Sequence, residues 1–161
     1  MAFNADAFMQ QTVEQSMDTA RIPFPEGQHE EPQIDDININ SGTIGKGERA
    51  GRPWAQLVIR YASTDPNVAA EMKLPEDQQA KVTQRIFLDL DENDNLDVSP
   101  GRNIELGKLR KAAGQNSDDE WSIAELKGAT VGGITVKHRF NEAGDPYADV
   151  VAVFGNDDDD E

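Results

Sequence analysis

The sequence contains no cysteine among its 161 residues. Disulfide bonds, thiolate metal ligands and cysteine nucleophiles are therefore excluded. No apolar run approaches the ~20 residues that a membrane-spanning helix needs. The first stretch, MAFNADAFMQQTVEQSMDTAR, has neither a basic start nor an apolar centre, so it does not read as a secretion signal. We expect an intracellular, soluble protein whose core is large enough to fold without a metal or a disulfide.

Enzyme motifs are also missing. The sequence has no nucleophile elbow, phosphate-binding loop or zinc-ligand spacing. His29 lies in a Pro- and Glu-rich stretch, and His138 alternates with apolar residues, which is typical of a core or barrel-rim histidine. Gly132 and Gly133 precede a predicted strand rather than a helix, so a bend or bulge is favoured over a phosphate cradle. We expect no catalytic residue, no cofactor and no metal.

The stretch DLDENDNLD, residues 89–97, imitates the alternating oxygen ligands of a calcium loop. Two positions break the pattern, because Asp94 stands where the sharp turn requires glycine and Pro100 stands where the bidentate glutamate belongs. A predicted strand, not a helix, precedes the stretch. A polar turn is the favoured interpretation.

Basic residues are few but clustered. The formal net charge is −16, and removing the five acids of the C-terminal run leaves 26 acidic against 15 basic residues, or −11. Residues 37–61, 102–111 and 127–140 each carry a net charge of +3. The total charge argues against a simple basic nucleic-acid-binding domain, but local potential is what steers a polyanion beyond a Debye length of ~8 Å.

The chain begins with a predicted helix over residues 5–20. Met9, Val13 and Met17 recur every four residues on one face, and the prolines of IPFPEG forbid continuation. We expect this helix to pack on the domain or on a neighbouring molecule. The predicted organisation is a helical arm over residues 1–27, a barrel domain over residues 28–155 and a disordered acidic tail over residues 156–161.

Five segments have the composition of strands. They lie within residues 33–40, 53–62, 82–90, 130–140 and 146–154. In the second segment Leu57, Ile59 and Tyr61 point to one side while Trp54 and Arg60 point to the other, since side chains alternate along a strand. A helix with Asn103 as N-cap and Gly114 as its stop separates the third strand from the fourth.

The predicted fold class is therefore mainly β with accessory α. Three strands, a helix and two strands are the order of a five-stranded, partly open barrel of the oligonucleotide/oligosaccharide-binding (OB) type, here preceded by the helical arm. Such a barrel binds ligands on the face of its second and third strands and in the loops after its first and fourth strands.

Aromatic and basic residues concentrate at these places. Single-stranded nucleic acid is held by cations along its phosphates and by rings under its bases, each stack contributing ~1–3 kcal/mol. The candidate DNA-binding residues are Lys46, Arg49, Arg52, Trp54, Arg60, Arg85, Phe87, Lys137, Arg139 and Tyr147. In the alternative interpretation Trp54 and Phe87 lie under the arm or a long loop and the arginines are solvated.

A further basic group, Lys108, Arg110 and Lys111, occupies the end of the predicted helix. These residues could touch phosphates. Cations in a last helical turn also complement the helix dipole, by ~0.3–1 kcal/mol each. The structural role is favoured.

Most of the chain resembles a family of small phage proteins that look like phage single-stranded DNA-binding proteins with an OB-type barrel. The similar stretches are FNADAFMQQTVEQSMDTARIPFPEG, RIFLDL…GRNIELGKLRKAAGQN and LKGATVGGITVKHRFNEAGDPYADVVAVF. The loop SGTIGKGERAGR and the insert STDPNVAAEMKLPEDQQA do not align with the pattern. The resemblance implies a protein that coats single-stranded DNA in the cytoplasm of the infected host during replication or recombination. It assigns no role to an individual residue.

The resemblance also implies a role for the acidic C-terminal run. Its members are Asp157, Asp158, Asp159, Asp160 and Glu161. A like-charged run stays unfolded, and in this interpretation it occupies the basic groove until DNA displaces it. The freed tail could then contact replication or recombination proteins. The run lacks the apolar-aromatic tip of bacterial tails, which favours competition with DNA over docking; a tail that only confers solubility is the alternative.

Two functions without DNA binding stay open. An acidic protein can mimic DNA and occupy a host DNA-binding protein, or the chain can be a structural or assembly protein of the virion that docks through its N-terminal helix. The sequence leaves the oligomeric state, the binding-site size and the preference for DNA over RNA undetermined.

Overall fold

The computed structural model describes residues 2–17 and 22–155, which form six strands in two antiparallel three-stranded sheets. The strands are β1 Gly27–Glu30, β2 Gln33–Thr43, β3 Pro53–Ala62, β4 Lys81–Leu88, β5 Gly133–Phe140 and β6 Pro146–Phe154. The strand orders are β2-β3-β4 and β1-β5-β6. The prediction of a mainly β fold with few helices is confirmed.

Within the described ranges, four short helices accompany the sheets. They are α1 Ala5–Met9, α2 Pro66–Glu71, α3 Ile104–Ala112 and a 3-10 helix, Ile123–Leu126. Asp65 caps α2, its carboxylate accepting a hydrogen bond from the Asn67 N–H at 2.9 Å, as its position before Pro66 predicts. In the described part of the chain, no helix is both long and apolar enough to cross a membrane.

The N-terminal helix is shorter than the sequence predicts. α1 ends at Met9, whereas the apolar spacing predicts a helix over residues 5–20. Met9, Val13 and Met17 are 80%, 62% and 76% exposed, so they form no buried face in this chain. No residue of α1 is buried, and a short helix without packing is marginal in water, which accounts for the early end. Residues 18–20 of the predicted helix lie outside the described residues.

Strand β1 was not predicted, and the predicted count of five strands is wrong by one. β1 pairs antiparallel with β5, His29 lying opposite Ile134. Phe24, just before β1, is 2% exposed and packs in the core. The four residues GQHE carry no apolar alternation, so the sequence offers no strand signal there. The pairing comes from β5, which supplies hydrogen-bonding partners that local sequence cannot reveal.

One cluster of buried side chains joins both sheets, α3 and the 3-10 helix. Leu57, Ile59 and Tyr61 are fully buried, as the alternation along β3 predicts. The Tyr61 hydroxyl donates a hydrogen bond of 2.6 Å to the buried side-chain oxygen of Gln84. Burial raises the pKa of Tyr61 well above its usual value, so the phenol stays protonated as this hydrogen bond requires.

The two sheets are linked where β1 passes into β2. Only Glu31 and Pro32 separate these strands, and Glu31 has a left-handed φ of 50°. The Ile34 N–H donates to the Ala129 carbonyl at 2.7 Å, and the Ile34 carbonyl accepts from Gly128 at 2.8 Å. Hydrogen bonds to the segment before β5 thus continue past the bend. On the other side of the molecule β4 contacts β6 without forming a hydrogen-bonded ladder with it.

Asn103 occupies the N-cap position of α3, as predicted, but its side chain does not cap the helix. Its φ is 51°, in the left-handed region, and its side chain makes no capping hydrogen bond to the helix. Its amide instead donates to the carbonyls of Asp89 and Asp97, at 2.8 Å each. Its side-chain oxygen accepts from the Asp89 N–H at 2.7 Å. Asn103 therefore ties the loop after β4 to the start of α3, which contacts β4 and β6.

Gly133, the second residue of the predicted Gly132–Gly133 pair and the first residue of β5, has a packing role. Gly133 lies opposite Phe154 in the β5–β6 ladder, and a side chain at Gly133 would overlap the Phe154 ring. The bulge predicted near these glycines lies slightly later, where the register shifts between Thr135 and Val136.

Candidate nucleic-acid interface

Trp54, Arg60, Arg85 and Phe87 lie on the side of the β2-β3-β4 sheet that faces away from the core; we call this side the outer face. In the β3–β4 register Arg85 lies opposite Val58, and Thr83 lies opposite Arg60. The Trp54 and Phe87 ring centroids are 6.1 Å apart with an angle of 65° between the rings. Two rings that alternation assigns only to the outward sides of their own strands are thus neighbours in the structure.

The two rings differ in accessibility. The Phe87 side chain is 68% exposed, so the described part of the N-terminal arm does not cover it. Trp54 is half-buried and lies over Gly42, its cross-strand partner on β2. A Cβ at Gly42 would stand 2.7 Å from the Trp54 indole nitrogen, so glycine is what permits this ring position. Phe87 is therefore the more available stacking surface.

The arginines of the outer face are exposed, and an acidic residue lies beside one of them. Arg60 and Arg85 form no salt bridge within the described residues. Asp36 lies opposite Arg60 in the β2–β3 register. The Ile37 backbone N–H, and to a lesser degree Lys127, hold the pKa of Asp36 below its usual value, so this carboxylate is charged at neutral pH. The outer face is mixed in charge, with its arginines on the β3 and β4 side.

The loop between β2 and β3, residues 44–52, carries three of the predicted DNA-binding cations; we call it the basic loop. Two of these cations form no salt bridge among the described residues, and the third is held by an acidic residue. Lys46 and Arg49 are exposed and form no salt bridge among the described residues. Arg52 is engaged, because its Nη2 donates to the Asp91 carbonyl and to Asp94 Oδ1, at 3.0 Å each. Arg52 thus ties the basic loop to the turn at residues 89–97.

The turn at residues 89–97, which we call the acidic turn, uses its side chains internally. Asp91 Oδ1 accepts hydrogen bonds from the N–H groups of Asn93 and Asn95, at 2.9 and 3.0 Å. Asp94 adopts a left-handed φ of 63°. The Ser99 hydroxyl and N–H, and then Arg102, hold the pKa of the Asp97 carboxyl below its usual value. This geometry agrees with a polar turn, and the described residues contain no His/Cys/Asp/Glu group arranged for a metal.

A cavity of about 500 Å³ lies between the basic loop and the acidic turn. Its lining mixes Arg49, Arg52 and Arg102 with carboxylates of the turn, beside Trp54. Since the two signs offset one another, the cavity itself favours neither a phosphate nor a cation.

Lys137, Arg139 and Tyr147 lie on the other sheet. Arg139 is opposite Tyr147 in the β5–β6 register, and Lys137 is opposite Asp149. Arg139 Nε donates to Asp149 Oδ2 at 3.0 Å, which leaves Lys137 as the cation of this group without a salt bridge in the described chain. The Tyr147 side chain is 44% exposed. The predicted residues therefore form two patches, one on each sheet.

A cleft of about 700 Å³ separates these patches; we call it the β4–β6 cleft. The first residues of β4 and of β6 both line it, with Thr83 on one wall and Tyr147 on the other. Sequence reasoning missed Thr83. Its position two residues before Arg85 and four before Phe87 places it on the same side of β4, which is a signal that alternation alone could have supplied.

Two of the α3 cations, Arg110 and Lys108, make contacts within the chain. The Arg110 guanidinium carbon lies 4.1 Å from the centroid of the half-buried Trp121 ring, and its Nη2 donates to the Gln115 carbonyl at 3.0 Å. Lys108 pairs with Glu105 at 3.6 Å. His138 is half-buried with Nε2 2.7 Å from the Phe24 carbonyl oxygen, in keeping with a rim histidine.

The predicted tail residues, Asp157 to Glu161, lie outside the described residues. Comparison of the chain with protein-family models, with curated proteins and with solved structures gives no match.

Proposed function

We propose that this chain is a phage single-stranded DNA-binding protein that coats DNA without sequence preference during replication or recombination in the infected cell. The observation that carries the proposal is the exposed Phe87 ring beside Trp54, flanked by the exposed Arg85 on the outer face. A single strand offers unstacked bases and a phosphate backbone together, and exposed rings beside cations recognise both. A duplex keeps its base faces stacked and offers mainly phosphates.

The chain connections support an OB-type barrel. β1 and β2 are separated by only two residues, and together they pair with β5 on one side and β3 on the other. Counted as one bent strand, they reduce the six strands to five. α3 then stands between the third and fourth strands, as in an OB-type barrel. The face of strands 2 and 3 in that fold corresponds to β3 and β4, which carry the aromatic pair.

The binding mechanism assigns phosphates to the cations and bases to the rings. Among the candidate DNA-binding residues, the exposed cations that form no salt bridge in the described part of the chain are Lys46, Arg49, Arg60, Arg85 and Lys137. Arg52 and Arg139 can join them only by exchanging a carboxylate for a phosphate. Phe87 offers the larger stacking surface, and the function is binding without turnover.

Fluorescence anisotropy of labelled oligo-dT and of a matched duplex tests the proposal. We expect the wild-type chain to prefer the single strand. Phe87→Ala should weaken oligo-dT binding by ~1–3 kcal/mol, the contribution of one stack. Phe140→Ala is the matched control, because this phenylalanine is equally exposed, at 68%, but alternation places it on the side of β5 opposite Lys137 and Arg139.

Absence of oligo-dT binding by the wild-type chain would refute the proposal and favour the acidic DNA mimic or the virion protein. A pull-down with host DNA-binding proteins and protein analysis of purified virions would then separate those two. Equal losses in the two phenylalanine variants would keep DNA binding but remove Phe87 from the site.

A further inference from the structure

We infer that the β4–β6 cleft is a second nucleobase site, so that a bound strand passes from the outer face onto the β1-β5-β6 sheet. The inference rests on the proposed function and extends it, because it specifies a path for the strand and a second stacking residue, Tyr147. It also assigns a role to Thr83, which belongs to both the outer face and the cleft.

The geometry that carries this inference is a row of side chains across four strands. Arg60 on β3 lies opposite Thr83 on β4. Thr83 and Tyr147 on β6 line the same cleft. Tyr147 lies opposite Arg139 on β5. The cleft is therefore the junction of the two predicted patches rather than a separate feature, and the row has an arginine at each end.

The cleft has the chemistry of a base site rather than a phosphate site. Its cation, Lys81, is already paired with Asp35 at 3.0 Å, and Asp145 adds a carboxylate to the lining that would repel a phosphate. The half-exposed Tyr147 lines the cleft together with apolar residues that include Met72. A nucleobase has an apolar face to stack on such a ring and polar edges to hydrogen-bond.

Polar groups for the base edge are present in the same lining. Thr83 and Asn141, which carry a hydroxyl and a side-chain amide, both line the cleft, and the amide nitrogen of Asn141 is not the atom that holds the hairpin loop. The loop contact uses Asn141 Oδ1, which accepts from the Asp145 N–H at 2.9 Å. A volume of about 700 Å³ is within the range of ligand pockets and leaves ample room for one base.

The two stacking positions are separated along the sheet. Phe87 and Thr83 are four residues apart on β4, which corresponds to about 13 Å along the strand. An oligonucleotide must therefore exceed a minimum length before one base can reach Tyr147 while another stacks on Phe87. Contributions from Phe87 and Tyr147 should consequently depend differently on oligonucleotide length.

The test is anisotropy of an oligo-dT series from about 4 to about 16 nucleotides, the range of site sizes of single OB domains. The chains compared are wild type, Tyr147→Ala, Tyr147→Phe and Phe87→Ala. Tyr147→Ala should weaken binding of the longest oligonucleotide by about 5- to 150-fold and leave the shortest one that binds unchanged. Tyr147→Phe keeps the ring and should retain the wild-type dependence on length. Phe87→Ala should weaken binding at every length.

Two results would overturn the second site. One is Tyr147→Ala binding every length as tightly as wild type. The other is a loss of the same size at every length, since the tyrosine would then belong to the first site or to the fold; a thermal melt of the variant tells these two causes apart. Either result leaves the proposed function standing if wild type binds oligo-dT and Phe87→Ala is weakened, whereas failure of the wild type to bind refutes both.

Discussion

Whether a strand residue of this protein is buried or exposed depends on the side of the sheet to which alternation assigns its side chain. Tyr61 points inward on β3 and is fully buried, whereas Arg60, its neighbour in sequence, is exposed. The buried phenol is tolerated because its hydroxyl donates to Gln84 Oε1 at 2.6 Å. A buried polar group without a partner costs ~1–3 kcal/mol, so this pair is an internal constraint on how β3 and β4 align.

Removing the Tyr61 hydroxyl should destabilise the fold. Tyr61→Phe leaves the buried Gln84 side-chain oxygen without its donor, and we expect the free energy of unfolding to fall by ~1–3 kcal/mol. The measurement is the midpoint of urea unfolding followed by circular dichroism. Tyr147→Phe is the control, because the Tyr147 side chain is half-exposed and can keep its hydration; its effect should stay within ~0.5 kcal/mol. Equal midpoints for wild type and Tyr61→Phe would show that the Gln84 contact contributes nothing.

Contacts between two structural elements determine which of the predicted phosphate-binding cations are already held by a carboxylate. Arg52 was predicted to contact phosphates. In the structure its hydrogen bonds to Asp91 and Asp94 connect the basic loop to the acidic turn. The pair is half-exposed, with side-chain exposures of 46% and 52%, so it contributes little to stability, ~0.2–1 kcal/mol. Its larger consequence is electrostatic, since Asp94 neutralises a cation beside Trp54.

Releasing Arg52 should strengthen binding to single-stranded DNA. In Asp94→Ala the guanidinium loses its carboxylate and becomes available to a phosphate, so oligo-dT affinity should rise. The slope of log K against log salt should steepen by ~0.7, the value for one added contact on a single strand. Arg52→Ala alone should weaken binding only slightly, and Arg52→Ala with Asp94→Ala should lose the added slope. A gain of equal size with and without Arg52 would instead mean that Asp94 acts only as a repelling charge.

At the scale of the whole molecule, a net charge of −16 opposes the binding of any polyanion. Five of the acids lie in the C-terminal run at residues 157–161. Exposed charges separated by more than a Debye length, ~8 Å at physiological salt, are largely screened. Long-range repulsion is thus strongest at low salt, where an anionic run also competes best for exposed cations.

Removing the acidic run should therefore raise affinity, and most at low salt. A chain ending at Gly155 should bind oligo-dT more tightly than the full chain, and the difference should shrink as salt rises because both the repulsion and the competition are screened. Anisotropy titrations of both chains at several salt concentrations provide the comparison. A version with the five acids replaced by serine and glycine keeps the length as a control. Indistinguishable affinities at the lowest salt would leave the run without a role in DNA binding.

The elements that sequence reasoning located correctly are those with strong local patterns. The range predicted for β3 agrees with Pro53–Ala62, and its inward and outward sides agree with the burial of Leu57 and the exposure of Arg60. α2 begins at Pro66 after its Asp65 cap, as predicted. These features depend on residues within a few positions of one another, which one sequence displays in full.

The elements that were missed depend on distant partners. β1 is held by β5, more than a hundred residues later in the chain, and its own residues have no strand pattern. The apolar spacing of the N-terminal segment predicts a long helix, but α1 ends at Met9 because no other part of the chain that the structure describes buries its face. Asn103 has the composition of a helix cap, yet the carbonyls of Asp89 and Asp97 hold its side chain.

In the candidate site, alternation fixes which side chains share a strand face, because it is a local property of an extended backbone. One sequence is therefore enough to place Trp54 with Arg60, and Arg85 with Phe87. Three other facts appear only in the folded chain: the two rings meet at 6.1 Å, Arg52 is held by Asp94, and Thr83 and Tyr147 line one cleft. Those facts depend on strand register and on loop closure over long separations, which are settled by packing of the whole core rather than by any local pattern.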